Sequence, residues 1–391
     1  MTTLLSFLGK GRLDAQRTGY QETTYRFAAD FARTVPWFGL ALADYLQPQR
    51  LILVGTSGSM WDAFFDRQGN ADEDILRLMA ATEAETVTPD LLELPRRRLA
   101  EQLGIPVDCL LIPYARDTAE QVDILHALAA VVSRGERLSL DLTHGFRHLP
   151  MLALVAARYL ERVAGVEVEE LYYGAYDMRN SAGETPVLQL GGLLTMLDWV
   201  DALATYDKDG DYGVFAPLLA ADGMEKGSAE RLARAAYFER TSNPVRARET
   251  LSSVFPAVEA HRGPLGALFG ETLEQRIGWF RGPAREDWER SLADGYLERR
   301  DYLRAAAFLY EACITRACKQ QGLGDADGFA NRKQAYQAAS KTTPKLRALV
   351  DLRNSLAHGV RPHTAESERT LADEDRLRTR LRQLRKALFT H

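Results

Sequence analysis

The chain has 391 residues, and 49 basic against 54 acidic side chains leave a net charge of −5. With 46% apolar and 26% charged residues it has the composition of a globular protein of two or three domains, able to bury a core without disulfides. The charge argues against a protein that coats nucleic acid nonspecifically, yet leaves room for one local anion site. Three cysteines, Cys109, Cys313 and Cys318, form neither a metal-site spacing nor a disulfide framework, which points to a reducing cytoplasm. The start, "MTTLLSFLGKGR", lacks a basic leader and the long apolar run of a signal peptide. No run of about 18 apolar residues predicts a membrane span.

Taken in chain order, the first half alternates short apolar strands with helices. "TLLSFLG", "LILVGTSGSM", "VDCLLIPY" and "LSLDLTHG" read as strands, and "AEQVDILHALAAVVSRG" as a helix with apolar positions three and four apart. That alternation predicts a parallel sheet. "VEVEELYYGAYD", "NSAGE" and "PVLQL" read as a hairpin at the edge of that sheet. The expected first domain is residues 1–190, α/β and Rossmann-like.

From "GGLLTMLDWVDALATY" onward no convincing strand follows, and residues 191–391 read as an all-α domain. Residues 205–300 carry no motif. The last helix, "DRLRTRLRQLRKAL", places Leu377, Leu381, Leu384 and Leu388 at helical spacing among six basic residues. It reads either as a packed amphipathic helix with a solvated charged face or as a surface for RNA.

Three predicted strands end in small polar residues: Gly9-Lys10-Gly11, Gly55-Thr56-Ser57-Gly58-Ser59, and Thr143-His144-Gly145. Ligands bind beyond the carboxyl ends of strands in open α/β sheets. Glycine lets a ligand approach the backbone, and hydroxyls donate and accept. A helix after Gly145, with Pro150 in its first turn, would aim free N–H groups at a phosphate. "GKGRLD" is neither the dinucleotide fingerprint nor a GxxxxGK[ST] loop. His144 and His148, four apart, lack a third ligand, so no metal site is expected.

Near the C-terminus, "LVDLRNSLAHG" holds Arg353, Asn354 and His358. Arginine stabilises charge developing on a phosphate, and histidine transfers protons near neutral pH. Together they suit metal-free RNA cleavage through the ribose 2′-OH. Five residues amount to about 140° of helical rotation, so the two side chains diverge on one helix. Gly359 can relax this by ending the helix, and a site shared by two chains relaxes it further.

"DLTHG" and "RNSLAH" together make the chain resemble the CRISPR-associated CARF–HEPN ribonucleases, in the group named for a DxTHG motif. "LLSFLGKG", "LVGTSGSMWD" and "ELYYGAYD" extend the resemblance in order. It implies a Rossmann-like CARF sensor followed by a HEPN ribonuclease with low sequence specificity for single-stranded RNA. The implied activator is a cyclic oligoadenylate made by a type III CRISPR complex, with cyclic tetra-adenylate favoured by the resemblance alone; no cofactor is implied. It also implies a homodimer, open to further assembly, with one ligand across the CARF pair and one composite nuclease site. Carried over by position, Arg353 and His358 are the nuclease residues and Asn354 orients them. Gly9, Lys10, Gly11, Thr56, Ser57, Thr143, His144 and Gly145 are the ligand-site candidates, with His144 alternatively a buried brace of its turn. Two other readings stay open: a CARF domain that cleaves the cyclic oligoadenylate itself, and a ligand-controlled regulator without nuclease activity.

Overall fold

The computed structural model describes residues 2–15, 19–67, 72–145, 148–324, 326–359 and 364–389. The chain divides into two compact units, Met1–Thr195 and Met196–His391.

The first unit is built on eight strands: β1 Thr2–Leu8, β2 Thr23–Ala28, β3 Phe31–Val35, β4 Arg50–Gly55, β5 Val107–Leu111, β6 Arg137–Asp141, β7 Glu167–Gly174 and β8 Thr185–Gln189. They form one sheet in the order β3-β2-β8-β7-β6-β1-β4-β5. The run from β7 to β5 is parallel throughout. Its helices are α1 Phe38–Leu46, α2 Glu73–Glu83, α3 Glu93–Leu103, α4 Thr118–Val131 and α5 His148–Tyr159.

The central strands are apolar on both faces. Leu4, Leu8, Leu51 and Leu53 enter one core with Trp37, Phe38 and Leu42, while Leu5, Ile52, Val54, Leu138 and Leu140 enter a second with Ile124, Ala156 and Leu160. Successive side chains of a strand point to opposite faces, so a strand that serves two cores reads as one continuous apolar run. That is why β1 and β4 are visible in the sequence; β6 shows as an alternation, with Leu138 and Leu140 on one face and buried Ser139 and Asp141 on the other.

The hairpin β7–β8 is antiparallel as expected, but it is not the sheet edge. β8 also pairs in parallel with β2, and the antiparallel hairpin β2–β3 continues the sheet beyond it. The cause is aromatic packing by a segment the sequence reading left unassigned. Tyr25 of β2 packs on Phe38 at 4.8 Å, and Phe27 stacks on Phe38 and on Tyr45 of α1.

The second unit is helical. It comprises the later part of α6 Gly192–Asp209, then α7 Phe215–Ala221, α8 Lys226–Arg240, α9 Pro244–Ala260, α10 Pro264–Ile277, α11 Arg285–Glu298, α12 Tyr302–Gln320, α13 Phe329–Thr342, α14 Pro344–His358, α15 Ala365–Leu371 and α16 Glu374–Phe389. Two apolar clusters fill it. One gathers Trp199, Phe215, Leu232, Leu251 and Ile277, and the other Phe308, Ile314, Leu349, Leu352 and Leu381. The N-terminal parallel-rich sheet followed by an all-α region is the fold class the sequence predicts. No described helix is long and apolar enough to cross a membrane.

On α16, Leu377, Leu381, Leu384 and Leu388 are all buried. Arg378 and Arg382 pair with Glu298, Arg385 with Asp294 and Arg380 with Glu366. With four of its five guanidinium groups paired to carboxylates of the same chain, this helix fits the amphipathic reading better than the RNA-facing one.

Candidate functional site

The three polar loops lie side by side. β6, β1 and β4 are consecutive parallel neighbours, so the segments after Asp141, Leu8 and Gly55 leave the same end of the sheet. After β1 the chain forms the β2–β3 hairpin at the far edge, then adds β4 and β5 on one side of β1 and crosses to its other side as β6. This reversal is the switch point at which open α/β sheets leave a crevice.

Backbones meet at that point. A Cβ added to Gly9 would stand 2.6 Å from the Gly145 nitrogen and 3.2 Å from the His144 Cβ. Gly145 itself has φ of 120°, a backbone region that side chains disfavour, and it is exposed. Glycine at both positions keeps the two loops in contact, with Gly9 buried beneath Gly145 and bare backbone facing outward at Gly145. α5 starts at His148 with Pro150 in its first turn; residues 146 and 147 and the His148 side chain lie outside the described residues.

The polar side chains of "DLTHG" mostly turn inward. Asp141 is fully buried and accepts hydrogen bonds from the Ser6 hydroxyl of β1 and, at 2.8 Å, from the Thr143 N–H. Burial pushes its carboxyl up to about 6, against those hydrogen bonds. The Thr143 hydroxyl accepts from the Gly174 N–H at the end of β7, 2.8 Å away. His144 Nε2 accepts from the Phe38 N–H at 3.1 Å. That N–H belongs to the first turn of α1, where the N-cap Trp37 offers no side-chain acceptor, so the imidazole does the capping. The accepted bond places the proton of the neutral ring on Nδ1. The motif therefore ties the end of β6 to β1, β7 and α1, and His144 takes the bracing position.

Burial pulls the His144 imidazole down to about 4. Its unfolded-state value is about 6.5, so the neutral ring contributes stability fully above that pH. The contribution is lost as pH falls from 6.5 through 4, up to about 3 kcal/mol. Asp141 acts with the opposite sign: its raised value favours the protonated fold, and that benefit fades as pH rises toward 6. A His144→Gln chain keeps an acceptor for Phe38 and loses the titration. Its stability deficit against the parent is expected to be smaller below about pH 5 than at pH 7. Thermal unfolding at both values measures it, and an equal deficit at both contradicts the buried neutral ring.

Thr56 is also turned inward. It is buried, with its N–H on the Ser59 hydroxyl at 2.9 Å, and Ser59 donates onward to the Leu8 carbonyl. Ser57 remains near the surface, its hydroxyl 3.1 Å from the Tyr114 hydroxyl. Lys10 is exposed and ion-paired with Glu85, which raises the ammonium and lowers the carboxyl through a side-chain hydrogen bond. Gly11, Lys10, Gly58, Met60, Tyr20 and Arg67 line a cavity of about 140 Å³ beside these loops. Sequence reading places Ser59 in the second loop without giving it a role, and it misses Glu85 and Tyr114. Tyr114 follows a strand end and was open to the same strand-end rule, whereas Glu85 sits after α2 and only the fold brings it to Lys10.

The second constellation lies in the helical unit. α14 is continuous through Arg353 and His358 and ends there, with Gly359 left-handed at φ 62° and its N–H on the Ser355 carbonyl. Arg353 Nη1 donates to Asn354 Oδ1 at 2.7 Å, and its guanidinium lies 4.9 Å from the Tyr310 ring centroid. His358 is exposed at the helix end. The two side chains diverge by about 140° along about 7.5 Å of rise, so one regular helix does not bring them to one point. The cavity of about 340 Å³ flanked by Arg347, Asp351, Leu352 and Thr364 lies along another face of α14 and is lined by neither.

Comparison with known proteins places this geometry. Residues 3–177 match the family described as the CARF domain of the CRISPR system endoribonuclease Csx1. A CRISPR-associated protein of Methanocaldococcus jannaschii is 23% identical over 279 residues, covering 66% of this chain and 44% of that protein. The chain thus spans less than half the length of this curated relative. The fold and the family match together support an N-terminal Rossmann-like CARF domain followed by an all-helical region.

Proposed function

We propose that this chain is a cyclic-oligoadenylate-activated, metal-independent endoribonuclease of type III CRISPR antiviral defence, with a CARF sensor at residues 1–190 and a HEPN nuclease within residues 191–391. The observation that carries the reading is the adjacency of β6, β1 and β4, which gathers the Gly9, Ser57 and Gly145 loops at one sheet end. Lys10, Ser57 and the backbone at Gly11 and Gly145 meet the ligand phosphates and riboses. Gly9, Thr56, Thr143 and His144 hold those loops in place. Cyclic tetra-adenylate is the favoured activator. The family matched by residues 3–177 is described as part of an endoribonuclease, which supports the nuclease half of the reading.

In that half, His358 moves the proton while the ribose 2′-oxygen attacks the adjacent phosphorus and the P–O5′ bond breaks. Arg353 stabilises charge on the non-bridging oxygens, and Asn354 holds the guanidinium through its 2.7 Å hydrogen bond. The products are a 2′,3′-cyclic phosphate and a 5′-hydroxyl. Because Arg353 and His358 diverge on α14, the site is shared by two chains in an isologous homodimer. Met151 and Val155, four apart on α5, present exposed apolar side chains that suit such a contact.

Labelled single-stranded RNA incubated with activator and chelator tests the chemistry. Cleavage that persists and leaves 2′,3′-cyclic phosphate ends is expected. Loss of cleavage in chelator would contradict it.

A further inference from the structure

The segment without a sequence motif, residues 205–300, contains an open basic groove between α8 and α9. Arg231, Arg234, Phe238, Arg246, Glu249 and Thr250 line it, around a volume of about 500 Å³. Most arginines of the neighbouring helices are spent on carboxylates: Arg240 on Asp211, Arg276 on Asp207, Arg281 on Glu259 and Arg285 on Glu289. Arg234 and Arg246 differ. Both are exposed, and among the described residues neither meets a carboxylate. Instead both guanidinium groups sit 5.6 Å from the centroid of one ring, that of Phe238. Arg231 lies one helical turn before Arg234; it donates to the Ser228 hydroxyl at 2.8 Å and comes within 3.7 Å of Glu225. Two like charges gathered on one ring without a counter-ion repel each other, and the fold gains little from holding them so. The arrangement is complementary to a chain of anions spaced along the groove. Beside it, Tyr237 is 57% exposed, with its ring 5.6 Å from Phe238.

We infer that the α8–α9 groove is a docking surface for single-stranded RNA, with Arg234 and Arg246 on successive phosphates and Tyr237 as a stacking platform for a base. Arginine forks suit phosphate oxygens, and an aromatic face accepts any base, so the surface binds without reading sequence. Glu249 is the one acidic lining residue and opposes binding. The inference rests on RNA being the substrate of the nuclease proposed above, and adds a hold on the strand away from the Arg353–His358 chemistry.

The test is fluorescence anisotropy of the full chain, without activator, on a labelled single-stranded oligoribonucleotide whose 2′-oxygens are methylated, so that cleavage cannot occur. Arg234→Gln combined with Arg246→Gln is expected to weaken binding about tenfold for each arginine. It is also expected to lower the slope of log affinity against log salt by about 1.4, the value for two single-strand phosphate contacts. Tyr237→Ala weakens binding about fivefold or more at unchanged salt slope, and Glu249→Gln strengthens it. Unchanged affinity and slope in the double variant would overturn the inference, as would displacement of the RNA by poly-glutamate at equal charge concentration, which would mark the groove as a site for acidic peptides. Arginine-dependent binding in a chain that never cleaves RNA would sink the proposed nuclease and leave the groove standing. Cleavage with arginine-independent binding would do the reverse.

Discussion

Replacing Arg353 or His358 with alanine is expected to lower RNA cleavage by about a thousandfold while leaving activator affinity unchanged. Removing a positioned proton-transfer group costs roughly 10²–10⁴ in rate. Removing a donor to developing charge costs about 10²–10³. Neither change disturbs the fold much, because His358 is exposed and Arg353, among the described residues, makes one side-chain hydrogen bond, to its neighbour Asn354. Single-turnover cleavage measures the rate, and calorimetric titration with cyclic tetra-adenylate measures affinity. The helix geometry adds a sharper test. If each Arg–His pair of the composite site takes Arg353 from one chain and His358 from the other, a mixed dimer of the two inactive variants keeps one of the two pairs intact. Mixing the two inactive proteins then restores about a quarter of wild-type activity, since half of randomly assorted dimers are mixed and each has one of two pairs intact. If both residues act from the same chain, mixing restores none.

The second large effect is on the sensor. Gly9→Val is expected to raise the activator concentration needed for half-maximal cleavage by about a hundredfold, since a coupling of a few kcal/mol is at stake. The added Cβ alone would meet the Gly145 nitrogen at 2.6 Å, and backbone cannot rotate away as a side chain can. The two central loops must separate, and with them the bare backbone that faces the ligand. Lys10→Ala gives a smaller shift, about tenfold, the size of one charge-assisted hydrogen bond. It is also a cleaner probe, because the exposed Lys10–Glu85 pair contributes little to the fold. Both variants should reach wild-type rate at saturating activator. Cleavage measured against activator concentration distinguishes the outcomes, and a lost maximum at unchanged half-saturation would contradict a sensor role for these loops.

The legible features were those with a local physical cause. β1 and β4 show as apolar runs because both faces are buried, β6 shows as an alternation of Leu138 and Leu140 with Ser139 and Asp141, and their polar ends show because the apolar residues stop at Gly9, Thr56 and Thr143. The buried leucines of α16 recur at helical spacing and need no tertiary context. For "DLTHG" a bracing role of His144 was legible as an alternative, but the partners of its residues were not, since they lie far away in sequence. Thr143 serves Gly174, and His144 serves Phe38 across 106 residues. The β2–β3 hairpin escaped notice because its aromatic residues gain their meaning only against α1. In residues 205–300 helical periodicity was visible, but the isolation of Arg234 and Arg246 from carboxylates depends on how α8 lies against α9.

Control of one unit by the other is the central claim, and the cleavage rate of the wild-type chain with and without cyclic tetra-adenylate tests it most directly. The measurement uses labelled single-stranded RNA at fixed protein concentration, with chelator throughout. A sensor that moves the nuclease from mostly off to mostly on should raise the rate by about a hundredfold, which takes about 5.5 kcal/mol of differential binding. Equal rates with and without the activator would contradict the account.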